Sequence, residues 1–101
     1  MRRDDTTFDP LLLSRVRLGV VSILATRKKA TFSDLRALLQ LTQGNLGAHL
    51  RKLEDGGYIS VEKGFVRRKP QTTCRLTAKG RRSFLTHVEQ LAAIAKKAEG
   101  G

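Results

Sequence analysis

TQGNLGAHLRKLEDGG, Thr42–Gly57, has the apolar spacing of a helix and two glycines near its start, Gly44 and Gly47. Glycine inside a helix costs roughly 1 kcal/mol relative to alanine, so a bare surface there needs a reason. At about 100° per residue, Leu46, Leu50 and Leu53 gather on one side and mark the core face. The opposite side carries Gly44, Ala48, Arg51 and Asp55, with Asn45, Gly47 and Lys52 flanking it. The outward face is therefore small near the N-terminus and cationic further along. Thr42 is a capping residue, and Gly56-Gly57 supply a stop with a residue free to turn left-handed.

Working outward, Phe32–Gln40 predicts a shorter helix before it, capped by Thr31 and facing Leu35, Leu38 and Leu39 inward, with Leu41 as the turn. A brief strand is expected at Ala30–Phe32. Downstream, Tyr58–Val66 alternates, Ile59 and Val61 on one face against Ser60 and Glu62 on the other, and Thr72–Leu76 alternates again around Cys74 and Leu76. These strands form a hairpin whose loop, Arg67–Gln71, holds Arg67, Arg68, Lys69 and Pro70. Asp9-Pro10 predicts a first helix running to Thr26, apolar over most of its circumference. Thr77 caps a last helix running to Ala98.

The expected fold is mainly α with a β-hairpin (α+β), a winged helix-turn-helix. The order is helix, strand, helix, helix, strand, strand, helix, with a long C-terminal helix for dimerisation. One domain of 101 residues is expected. Residues 1–8 are flexible in this reading, 9–26 and 77–98 are dimerisation helices, 31–55 the helix-turn-helix and 58–76 the wing.

The formal net charge is +11. Residues 1–50 hold eight Lys/Arg against four Asp/Glu, +4, and residues 51–101 twelve against five, +7. From Lys63 to Arg82 there are eight cations and no acid. Such a single-sign field attracts polyanions, and double-stranded DNA is the expected partner. A recognition helix enters the major groove by its N-terminal end. Gly44 and Ala48 permit close approach there, and Thr42, Gln43 and Asn45 present hydrogen-bonding groups to base edges. Gly47 serves either the same approach or relief of crowding against the preceding helix. Arg51 and Lys52 reach phosphate or guanine, while Lys63, Arg67, Arg68 and Lys69 suit backbone or minor-groove contact.

No Ser/His/Asp set, phosphate-binding glycine loop or paired carboxylates support an enzyme. One cysteine, Cys74, excludes an intrachain disulfide and suits a reducing cytoplasm; it is expected to be a small buried hydrophobe. No run approaches the ~20 apolar residues of a membrane span, and the N-terminus lacks a signal peptide's apolar stretch. His49 is expected to be partly buried and satisfied, and His87 has no neighbours of ligand spacing. No cofactor or metal is expected, and no pattern identifies a small-molecule effector.

In the last helix Phe84, Val88, Leu91, Ala95 and Ala98 follow one another at four, three, four and three residues, a heptad seam. With Leu12 and Val16 of the first helix it forms the expected two-fold dimer interface.

LTQGNLGAHLRKLEDGGYI and FVRRKPQTTCRLTAKGR together resemble the MarR/ArsR-like winged-helix transcriptional regulators, nearest the small single-domain bacterial and archaeal members. The resemblance covers roughly residues 11–95 and implies a dimer that binds operator DNA and usually represses. It places contacts at Thr42, Gln43, Asn45 and Arg51 and, in the wing, at Arg67, Arg68 and Lys69. Three positions depart from the pattern: Gln40 where glycine is common, Gly47 where serine or threonine is common, and Cys74 where an aromatic is usual. One Cys and two distant His cannot build the metal sites of the ArsR branch. Two alternatives stand beside a sequence-specific repressor: a non-specific architectural DNA-binding protein, and a winged helix used for protein–protein contact.

Overall fold

The computed structural model describes residues 8–100. The elements in order are α1 (Arg15–Arg27), β1 (Lys29–Thr31), α2 (Phe32–Leu39), α3 (Gln43–Asp55), β2 (Ile59–Val66), β3 (Lys69–Leu76) and α4 (Ala78–Gly100), preceded by a 3-10 turn at Pro10–Leu12. This is the expected winged helix-turn-helix order.

The first helix is not the continuous 9–26 rod that the leucine run suggests. Asp9 caps only the short turn, accepting from the Leu11 N–H at 3.0 Å. Ser14 then takes extended backbone (φ −77°, ψ 127°) and its hydroxyl accepts from the Arg17 N–H, starting α1 afresh. A serine able to satisfy an orphan helix N–H is a start signal even inside an apolar run. Of the segment expected to be flexible, residues 1–7 lie outside the described residues. Phe8 packs its ring edge-on to His87, centroids 5.8 Å apart.

The sheet is antiparallel throughout, in the order β1-β3-β2. Ala30 faces Cys74 and Cys74 faces Val61, which draws the middle of the sheet over the helices. The core joins Leu12, Val20, Val21, Leu24, Leu35, Leu46, Leu50, Leu53, Ile59 and Cys74. Leu38, expected inward, is 56% exposed. It lies about 60° round α2 from the buried Leu35, while the half-buried Leu39 lies about 40° the other way, so the core contacts of this short helix turn toward Leu39.

The hairpin differs most from expectation. Its loop is not Arg67–Gln71 but Arg67-Arg68 alone, because Val66 pairs with Lys69 and Phe65 with Pro70. Both arginines are left-handed, φ 52° and 69°, the geometry of a two-residue type I′ turn. Such turns prefer Asn-Gly; two arginines there store about 1–3 kcal/mol of backbone strain each.

α4 begins tightly bound and ends free. The Thr77 N–H donates to the Tyr58 carbonyl (3.0 Å), and its hydroxyl donates to the Gly57 carbonyl (2.6 Å) and accepts from the Gly80 N–H (3.0 Å). A side chain at Gly80 would collide with the Tyr58 carbonyl, so only glycine lets α4 approach this closely. From Leu91 to Gly100 every residue is exposed.

Candidate nucleic-acid interface

α3 is capped as expected: the Thr42 hydroxyl accepts from the Asn45 N–H at 3.1 Å. One of its two lone pairs is thus engaged, while its proton remains available to donate outward. Gln43, Gly44, Asn45, Ala48, Arg51 and Lys52 are all exposed. The crowding explanation for Gly47 is overturned: a Cβ built there, or at Gly44, meets nothing within 4 Å. Neither glycine serves packing inside the chain.

The wing flanks this face. Gln43, Gly47, Leu50, Arg51 and Glu54 of α3 line one side of a groove of about 440 Å³, and Val61, Lys63, Pro70, Gln71 and Thr72 of the hairpin line the other. The start of α2, at Phe32 and Ser33, contributes as well. Gln71 was expected in the loop and Thr72 at the start of the strand, and neither was expected at the interface; with Lys69 the first paired residue, Gln71 joins Thr72 on the strand beside the helix. Lys63, Arg67, Arg68 and Lys69 are exposed.

α3 is held from behind. Arg17 of α1 donates through Nη1 to His49 Nδ1 at 3.1 Å and through Nε to the Leu11 carbonyl at 2.8 Å. With Nδ1 accepting, the proton of the neutral ring sits on Nε2. Burial first, then the charges of Arg17 and Lys52, hold the His49 pKa below its ordinary value. His49 is therefore partly buried and satisfied. Arg17, a lone cation in an apolar run, gave no sign of this tie.

His87 is buried, 3% exposed, and its Nδ1 has no hydrogen-bond partner among the described residues. It borders a cleft with Phe8, Asp9, Tyr58, Arg82 and Ser83. Tyr58 donates its hydroxyl proton to Asp9; burial, then that bond, push its phenol upward. Burial, aided by Glu54, lifts the Cys74 thiol to about 11. Among the described residues no group of three or more His, Cys, Asp or Glu is arranged to hold a metal ion, and no helix is long and apolar enough to cross a membrane.

The residues expected at a dimer interface divide in two. Leu12 is 1% exposed, inside the core of its own chain, and offers no surface to a partner. Val16 is half-buried, as are Leu18, Ile23 and Ala25, whereas Val20, Val21 and Leu24 lie inside the core. Phe84 is half-buried, whereas Val88 (43%), Leu91 (45%) and Ala95 are exposed.

A model of the winged helix DNA-binding domain matches residues 16–95. The chain belongs to that family. An uncharacterized protein of Methanocaldococcus jannaschii is 31% identical to this winged helix domain over 86 residues, 85% of the chain and 94% of the relative. Among solved structures, a transcriptional regulator homologue from Pyrococcus horikoshii OT3 superposes with a TM-score of 0.82 at 34% identity, covering 87% of each chain. The M. tuberculosis regulator MosR, solved in complex with DNA, shares the fold at 21% identity (TM-score 0.69, 91% of this chain and 65% of that one). The winged helix domain is thus a DNA-binding regulator by family, and these solved structures are transcriptional regulators rather than enzymes.

Proposed function

We propose that this winged helix domain is a dimeric, sequence-specific repressor. It seats α3 in the major groove and sets the tip of its wing against the backbone and minor groove. The observation that carries this reading is the unopposed face of α3: Gly44 and Gly47 have open space before them, beside a groove whose other wall is the cationic hairpin. Gln43 and Asn45 read base edges, the Thr42 hydroxyl donates, and Arg51 and Lys52 take phosphate or guanine. Lys63, Arg67, Arg68 and Lys69 hold the flanking backbone. Val88, Leu91 and Ala95 of α4 meet the same residues of a second copy, and Phe84 closes the inner end of the seam. Two recognition helices then face half-sites ~10 bp apart, and occupancy of such a site blocks transcription.

The test is selection from a random duplex library at near-physiological salt. A two-fold symmetric motif with half-sites about one helical turn apart supports the reading. A flat pool, bound tightly and lost steeply with salt, replaces it with the architectural alternative, which the +11 charge also favours. An empty pool favours a protein partner.

A further inference from the structure

The sequence has four phenylalanines and one tyrosine. Tyr58 is buried and Phe8, Phe32 and Phe84 are partly buried, but Phe65 stands 75% exposed. An aromatic ring of this size left in water, two residues from a hairpin tip, contributes nothing to the core. Its place is specific. Strand alternation puts Phe65 on the same face as Val61 and Lys63, which line the groove beside α3; Phe65 itself stands beyond that groove, bordering a smaller depression with Lys63, Gly64 and Gln71. Across the hairpin it pairs with Pro70, also exposed, so two apolar side chains sit opposite one another. Lys63, Lys69 and the strained Arg67-Arg68 turn surround them.

We propose that Phe65, backed by Pro70, is a wedge that enters the minor groove, partly unstacks a base step and bends the duplex. This rests on the DNA-binding reading above and goes further, assigning the wing a deforming role besides a cationic one. Four residues of strand separate Val61 at the core edge from Phe65, a reach of about 14 Å, against a minor groove ~7.5 Å deep. An unbent minor groove, ~6 Å wide, cannot admit a two-stranded ribbon with its side chains, so the tip enters only if the groove opens. Apolar wedges achieve that opening, and the flanking cations are placed to contact the phosphates along the edges of the widened groove. Duplex DNA is favoured over a protein partner because every charged residue from Lys63 through Lys69 is a cation.

The experiment uses the full chain and a duplex of about 30 bp recovered by selection, or an A·T-rich duplex of that length if selection is flat. Resonance energy transfer between end labels reports the bend, and 2-aminopurine placed at successive steps reports unstacking. Wild type is expected to bend the duplex by roughly 20–90° and to brighten one step per wing. Phe65→Ala should bind about fivefold more weakly or worse, leave the duplex straight and quench no less than free DNA. Phe65→Leu, still a wedge, should keep most of the bend. Unchanged melting of both variants, expected for so exposed a site, separates this from misfolding. A wild-type complex with straight DNA, or a Phe65→Ala complex bent as wild type, overturns the wedge while leaving DNA binding intact. A Phe65→Ala change in sedimentation would assign the ring to a second copy instead and also overturn it. Failure of wild type to bind any duplex removes the functional reading itself.

Discussion

His49 shows how one side chain ties stability to pH. Its folded pKa lies below 6.5 because of burial, Arg17 and Lys52, so the unfolded chain takes up the proton first. Stability is then full above that value and is lost as the pH falls through it, levelling off below the lowered pKa. Protonation also turns the Arg17 contact from a hydrogen bond into a repulsion. We expect the melting temperature of wild type to fall between pH ~7.5 and ~5.5 more steeply than that of His49→Gln; equal slopes would remove His49 from the account. Gly47 separates folding from binding. Its Cβ position is empty, so Gly47→Ala should raise stability by about 1 kcal/mol while weakening DNA binding. A stabilised variant with undiminished affinity would show that close approach at this residue is not used. Cys74, fully buried with its thiol near 11, should resist alkylation in the native protein and react only on unfolding, as a timed thiol-labelling assay would report.

At the scale of elements, the wing trades stability for charge. Replacing Arg67-Arg68 by Asn-Gly fits the turn's left-handed backbone and should stabilise the chain by about 1 kcal/mol or more. The same change removes two cations, so the salt dependence of duplex binding should flatten by about two counterions. Denaturant melts and a salt titration check the two halves independently. These elements differ in how legible they were. α3 was plain in the sequence because cap, leucine stripe and glycine stop agree. The strands were plain in their middles, where burial enforces alternation. The break at Ser14 and the two-residue turn were not. Both depend on one local hydrogen bond or dihedral choice that runs against the surrounding pattern, leucines in one case and non-glycine residues at positive φ in the other. Of the candidate interface, the residue types were readable, but the groove that joins Gln71 and Thr72 to α3 required the register of β2 on β3.

The whole molecule is elongated, 56 × 29 × 22 Å, with a radius of gyration of 15.4 Å against about 13 Å for a compact chain of this length. α4 accounts for the excess. Its stripe of Gly80, Phe84 and His87 packs on the domain, then runs on past it as Leu91 and Ile94, 45% and 48% exposed. Apolar surface continuing along one line beyond its own core is the geometry of a shared seam. Leu91→Glu should give monomers by analytical ultracentrifugation with little change in the far-UV spectrum; persistent dimers would place the contact elsewhere. Another long-range feature is the small strand β1. It pairs Ala30 with Cys74, so the whole helix-turn-helix and the outgoing arm of the wing lie between the two halves of one ladder. Local contacts let α3 and the hairpin form early, but β1 closes only after a loop of more than forty residues is spanned. During synthesis, then, α3 leaves the ribosome before β3, and the three-stranded sheet that fixes the hairpin beside it closes only once β3 has emerged.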